Sequence, residues 1–225
     1  MKQSADRIAI FDIDGTVIDT QLVEGECYAQ AMLEVTGLSL ETLDWTTFQQ
    51  ATSSGIFREV CGHLSDAVAL EIEFESRFLE LLQDAHPHHP ADFQPIPGAI
   101  EFLDRLMAEP GIEVAFATGG YHSEANFKLS CCGIDIAGFP HATSSDSPNR
   151  EEIIRLAATR AGCSLSSAVY FADGIWDVIA TRELGMPMIG IGRKVELLQS
   201  HNVKPSFRDF CNSDLVLEAF KDAAG

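Results

Sequence analysis

The sequence predicts an α/β protein: a doubly wound parallel sheet with a helical segment inserted after its first strand. Three observations carry that expectation. Short apolar, β-rich runs alternate with stretches of helical periodicity along most of the 225-residue chain, the pattern of parallel strands covered by their connecting helices. Between about residues 19 and 95 the alternation stops and only helical patterns remain. The strand-like runs end repeatedly in carboxylate, hydroxyl or glycine residues, and in open α/β sheets ligands bind beyond the carboxyl ends of strands.

Arg7 to Phe11 reads as the first strand, a short apolar run halted by Asp12 and Gly15. Two helical patterns follow, one through Val23, Cys27, Ala31 and Val35, the other through Val68, Ile72, Phe78 and Leu82. Asp84-Ala85-His86-Pro87-His88-His89-Pro90 and then Pro95-Ile96-Pro97-Gly98 carry proline at the density of a linker. Residues 19–95 are therefore expected to form a helical cap, and residues 1–18 and 96–225 the core. In that core, Ala99, Ile100, Leu103, Leu106 and Met107 make one helical face, and Glu113 to Ala117 the second strand. A weaker strand lies near Pro140-His141-Ala142, followed by a helix with Ile153, Ile154, Leu156, Ala157 and Ala161 on one face. Ala168 to Ala172, a helix carrying Val178, Ile179 and Leu184, and a last strand from Met188 to Ile191 complete the pattern.

Hydrophobic residues at 46% and charged residues at 22% are ordinary for a globular chain, and the length allows a core domain plus a small insert. No apolar stretch approaches the length that crosses a bilayer. The N-terminal run is broken at Asp12 before it could serve as a signal-peptide core, so a soluble, cytoplasmic protein without a membrane partner is expected. The net charge is −19, from 15 basic and 34 acidic residues, with no basic stripe. That excludes an ordinary nucleic-acid binder and leaves a monomer or small homo-oligomer as the expectation. Cys27, Cys61, Cys131, Cys132, Cys163 and Cys211 show neither a CxxC pair nor zinc spacing and read as reduced, mostly buried thiols, with Cys131 and Cys132 at a helix end. His86, His88 and His89 have interleaved prolines and no acidic or cysteine partner at ligand spacing, and read as solvated linker.

The chemistry concentrates at four strand ends. Phe11-Asp12-Ile13-Asp14-Gly15-Thr16-Val17 delivers two carboxylates from one strand, and Gly15 lets the chain turn sharply away. Ala117-Thr118-Gly119-Gly120 offers a hydroxyl and flexible backbone N–H groups, a natural phosphate cradle. Asn149-Arg150-Glu151 opens the helix after the weak third strand and supplies a cation; Ala172-Asp173-Gly174-Ile175-Trp176-Asp177 supplies two more carboxylates. Each segment has a plain alternative: a solvated turn, a helix cap at Thr118 or Asp173, a surface charge at Arg150. Their joint occurrence on one rim of one sheet favours a site. Phosphate bound among so many carboxylates requires a cation.

In order and position these segments resemble the four motifs of the haloacid dehalogenase superfamily, with its Rossmann-like core. The inserted helices resemble the α-helical cap of the subclass that includes phosphoglycolate phosphatase and β-phosphoglucomutase. The resemblance covers nearly the whole chain. It implies Asp12 as nucleophile, Asp14 as general acid/base, Thr118 with Gly119 as phosphoryl-oxygen ligands, and Arg150 as the motif III cation, with Lys128 as a weaker candidate. It also implies Mg²⁺ held by Asp12, the backbone carbonyl of Asp14 and Asp173, with Asp177 supporting from behind. Arg150 stands where Lys is usual, and Ala172 where Gly is usual. Arg58, in Ser54-Gly55-Ile56-Phe57-Arg58-Glu59, is the candidate cap residue for substrate.

The implied activity is Mg²⁺-dependent hydrolysis of a small phosphorylated metabolite through an aspartyl phosphate, as in phosphoglycolate phosphatase. Asp14 separates this chain from the dehalogenases, and no lysine lies between Lys2 and Lys128 to serve a phosphonatase Schiff base. A β-phosphoglucomutase-like activity is the alternative; Glu24 stands where that enzyme has a His, and its cap lysine is missing. A receiver-like signalling domain or a non-catalytic phosphate-binding protein is the alternative of another class. Receivers are about half this length, and a non-catalytic relative should have lost Asp12 or Asp14.

Overall fold

A computed structural model describes residues 6–224, so the first five residues read above as lacking a leader, and Gly225, lie outside the described residues. The described chain forms a six-stranded, all-parallel sheet in the order β3-β2-β1-β4-β5-β6. Its strands are β1 (Arg7–Phe11), β2 (Ile112–Ala117), β3 (His141–Ala142), β4 (Ala168–Ala172), β5 (Met188–Ile191) and β6 (Ser206–Phe207). The connecting helices are α4 (Ala99–Ala108), α5 (His122–Cys131), α6 (Arg150–Arg160), α7 (Ile175–Leu184), α8 (Val195–Ser200) and α9 (Ser213–Ala223).

Both sheet faces are buried, and strand alternation divides them. Ala9, Phe11, Val114, Phe116, Val169 and Phe171 point into one apolar cluster; Ile8, Ile10, Ala115, Ala117, Ala168 and Tyr170 point into another. In the first, Phe11 stacks on Phe171 at 4.5 Å, meets Phe102 edge-on and lies tilted against Phe210. Ala99, Leu103 and Leu106 of α4 bury as their periodicity predicts, as do Ile153, Ile154 and Ala157 of α6. Met107 and Ile179 of the predicted faces are about half exposed.

Between β1 and β2 the chain inserts α1 (Gln21–Thr36), α2 (Ser53–Cys61) and α3 (Ala67–Ala85). Val23, Cys27 and Ala31 bury on α1 as expected. The expected face of α3 is wrong in its first half: Val68 and Ile72 are exposed, and Phe74, Phe78, Leu81 and Leu82 make the buried stripe. The reason is an aromatic cluster, in which Phe74 packs against Tyr28 at 4.8 Å and Phe57 at 5.0 Å and sets the rotation of the helix. The sixth strand was not expected, since two residues behind Pro205 carry no periodicity. The cysteines are free thiols; Cys27 and Cys61 are buried, Cys211 is exposed, and Cys131 and Cys132 close α5.

Candidate active site

The carboxyl ends of β1, β2 and β4 lie side by side because the register pairs Phe11 with Phe116 and with Phe171. Each strand therefore releases its next residues, Asp12, Thr118 and Asp173, at nearly one level. Gly15 has φ +79° and accepts the turn that folds the chain back. Opposite it, Gly192 sits at φ +108°, where an added Cβ would come within 2.5 Å of the Gly15 carbonyl oxygen, so these two loops meet backbone to backbone.

Asp12, Asp173 and Asp177 each offer a carboxylate oxygen within 4.8 Å of the other two, and all three are buried. Burial pushes the Asp12 carboxyl well above the usual carboxylate range, with Asp177, Asp14 and Asp173 adding to the shift and Arg150 opposing it. Burial also raises Asp177, against the pull of Arg150. Three crowded, desolvated carboxylates with hard oxygen donors fit a divalent cation that binds through oxygen. Asp177, expected behind the metal ligands, is a full member of this group.

Arg150 lies at the head of α6, capped by Asn149, whose side chain accepts the Glu152 N–H. Its Nη1 is 3.2 Å from Asp12 Oδ1 and 3.4 Å from Asp177 Oδ1, and its Nη2 donates to the Ala51 carbonyl at 3.2 Å. Burial works against the charged guanidinium, but Asp177, Tyr170 and Asp12 hold its pKa above the ordinary arginine value. Lys128, the weaker motif III candidate, is elsewhere. Its Nζ is 2.8 Å from Asp14 Oδ1, 3.0 Å from Glu24 Oε1 and 3.2 Å from Glu124 Oε2, with the lysine side chain fully buried. The cation beside Asp12 is thus Arg150.

A cavity of about 230 Å³ opens over these groups. Asp12, Asp14, Thr118, Gly119, Gly120 and Arg150 form its floor, and Glu24, Tyr28, Trp45 and Ile56 from the inserted segment line it with Trp176 and Lys194. The N-terminus of α2 is fastened to the rim. Ser53 N–H donates to the Gly119 carbonyl at 2.7 Å, Thr52 Oγ1 to the Pro148 carbonyl at 2.7 Å, and Ser54 Oγ to the Ser144 carbonyl at 2.9 Å.

Arg58, the candidate cap residue for substrate, does not line this cavity. Ser53, Ser54, Gly55, Ile56 and Phe57 bury the inward side of α2, which turns Arg58 outward to an exposed ion pair with Glu71 at 3.2 Å. His89 reaches only Asp92 at 3.9 Å, and His86 packs on Phe93 and Phe127, so the histidine cluster holds no shared centre among the described residues. Two groups were missed by the sequence reading. Lys194 lies 3.4 Å from Asp173 Oδ2 and over the Trp176 ring, and Glu124 completes the Lys128 cluster. A lysine after a glycine-ended strand is the faint signal for the first; nothing local marks the second.

Among the described residues, no helix is long and apolar enough to cross a membrane. A family model of haloacid dehalogenase-like hydrolases matches residues 7–185. A phosphoglycolate phosphatase of Agrobacterium fabrum is 26% identical over 191 residues, covering 82% of this chain and 79% of the relative. The pyrophosphatase PpaX of Bacillus velezensis is 24% identical over 198 residues, covering 85% of each. Among solved structures, a hydrolase from Pseudomonas syringae superimposes with a TM-score of 0.71 at 20% identity, covering 92% of this chain and 96% of that one.

Proposed function

The chain belongs to the haloacid dehalogenase-like hydrolase family, and on that footing we propose that it is a Mg²⁺-dependent phosphatase of a small phosphorylated metabolite. The observation that carries the reading is a buried Asp12 held 3.2 Å from Arg150 and grouped with Asp173 and Asp177. A carboxylate is a competent nucleophile at phosphorus once the repulsion between two anions is relieved. Mg²⁺, when bound by Asp12, Asp173 and Asp177, supplies that neutralisation.

In this reading an Asp12 carboxylate oxygen bonds to phosphorus while the bond from phosphorus to the leaving oxygen breaks. Asp14 gives its proton to that oxygen. Thr118, the Gly119–Gly120 backbone and Arg150 hold the phosphoryl oxygens as charge shifts among them. Asp14 then takes a proton from water, the water oxygen bonds to phosphorus, and the bond to Asp12 breaks, which regenerates the carboxylate. Residues 19–95 are read as a helical lid on a core of residues 1–18 and 96–225. The Ser53 to Gly119 and Thr52 to Pro148 bonds then describe the lid shut, a state that excludes bulk water.

The test is release of inorganic phosphate from p-nitrophenyl phosphate, 2-phosphoglycolate, sugar phosphates and pyrophosphate, with and without Mg²⁺. The relatives' names motivate the second and the last substrates. Phosphate release that requires Mg²⁺ and disappears in Asp12→Asn, with the fold intact by circular dichroism, supports the reading. Release that persists in Asp12→Asn, or interconversion of sugar phosphates without net release, overturns it.

A further inference from the structure

Lys128 is a buried cation that the reaction as written above does not use. It projects from α5, and its ammonium is ion-paired with three carboxylates, Asp14 at 2.8 Å, Glu24 at 3.0 Å and Glu124 at 3.2 Å. The partners come from different parts of the fold: Asp14 from the end of β1, Glu24 from α1 of the inserted segment, Glu124 from α5 itself. Glu124 is fixed in turn, accepting the Tyr121 N–H at 2.5 Å and Ser53 Oγ at 2.8 Å. The ammonium is therefore held from every side, and whatever it touches is held with it.

What it touches on Asp14 is one particular oxygen. Both Lys128 Nζ and Thr20 Oγ1 donate to Oδ1, and among the described residues no donor is placed on Oδ2. A carboxyl group gripped at one oxygen by two donors cannot rotate about its last bond without losing both. Asp14 also lines the cavity, with its side chain 15% exposed. We infer that Lys128 is the positioning residue for Asp14: with Thr20 it anchors Oδ1 and presents Oδ2 to the leaving group as the oxygen that transfers the proton. Lys128 touches neither substrate nor Asp12 in this assignment and acts only through Asp14. The inference rests on the phosphatase reading.

The experiment compares two substrates that differ in their need for a proton. p-Nitrophenolate leaves without one, whereas the alkoxide of glycerol 2-phosphate does not. With the Mg²⁺-loaded enzyme, Lys128→Met should lower kcat/KM for glycerol 2-phosphate at least ~30-fold and change kcat/KM for p-nitrophenyl phosphate less than ~3-fold. The same variant should release a burst of p-nitrophenol before slow turnover, because water attack on the aspartyl phosphate also needs Asp14. Thr20→Val removes the other Oδ1 donor without stranding a buried charge, and should show the same split at about 5-fold. It decides the matter if Lys128→Met does not fold. Equal losses on both substrates, or no loss on either, in a folded variant overturn the positioning role. Where the wild-type enzyme cleaves neither ester, 2-phosphoglycolate replaces glycerol 2-phosphate as the alkoxide substrate; failure on every substrate named above overturns the phosphatase reading, and this inference with it.

Discussion

Arg150 holds Asp12 through a single nitrogen, Nη1 to Oδ1 at 3.2 Å, and its other terminal nitrogen is committed elsewhere. Nη1 also faces Asp177 at 3.4 Å, and Nη2 reaches the Ala51 carbonyl at 3.2 Å. One planar group thereby joins the proposed nucleophile, the acidic triad and the loop that opens α2.

That threefold commitment predicts that lysine is a poor substitute. An ammonium can pair with Asp12 but cannot span Asp177 and Ala51 from one position, since it lacks the fork. Arg150→Lys should keep a residual activity, with kcat/KM lowered ~100-fold. Arg150→Met should lose ~1,000-fold or more and melt earlier in the absence of metal, because removing one partner of a buried pair strands the others, a loss of ~3–5 kcal/mol. Steady-state kinetics and thermal melts check both.

Gly119 is where backbone and guanidinium come too close for a side chain. A Cβ there would lie 2.6 Å from Arg150 Nη2 and 3.0 Å from the Ala51 carbonyl oxygen. Gly119→Ala should push the fork off Asp12, lower kcat/KM ~10–100-fold and lower the melting temperature less than Arg150→Met does, since the guanidinium is displaced and not removed. A Gly119→Ala enzyme with full activity would mean that Arg150 need not hold its observed position.

Asp12, Asp14, Thr118, Arg150 and Asp173 could be put forward as candidates because chemistry at a strand end is a local signal: an apolar run, a reactive side chain, then a glycine or helix start. That the first five strands are parallel followed from the same alternation, though their order in the sheet did not. What stayed hidden depends on packing between distant segments. Lys128 meets Glu24 across 104 positions, and no local pattern distinguishes it from an ordinary helix lysine. The outward turn of Arg58 and the exposure of Val68 share one cause: helix rotation is set by Phe57, Phe74 and Tyr28 meeting one another, and periodicity does not contain that contact. Asp177, read as a supporting residue, joins the triad because the first turn of α7 brings it back over Asp173.

The outward position of Arg58 predicts an inert substitution. Its pair with Glu71 leaves the arginine side chain 54% exposed, and such surface bridges contribute ~0–1 kcal/mol. Arg58→Ala should leave kcat and KM within ~2-fold of wild type on every accepted substrate. A selective loss on one substrate would show that Arg58 contacts substrate despite its outward position here.

The crowding of carboxylates also fixes how stability responds to pH. Burial, reinforced by Asp14 and Glu124 and opposed by Lys128, pushes the Glu24 carboxyl from its ordinary 4.5 up to about 8. Asp12, Asp177 and Glu124 are raised for the same first reason, burial. A carboxyl whose folded pKa lies above its unfolded one binds protons more tightly when folded. Its contribution is present below the unfolded value and is lost as pH rises toward the folded one. Metal-free protein should therefore melt at progressively lower temperature between pH 5 and about 8, where many globular proteins are near their most stable. For a chain of this size each ~1 kcal/mol lost appears as roughly 2–4 °C. Glu24→Gln should flatten part of that slope, since it removes the titrating group and keeps an acceptor for Lys128. Mg²⁺ binds the ionised triad, so it should raise the melting temperature more at pH 8 than at pH 5.5. A metal-free melting temperature that climbs through this range would show that the buried carboxylates are paired well enough to ionise without a cation, and would remove the electrostatic argument for the metal.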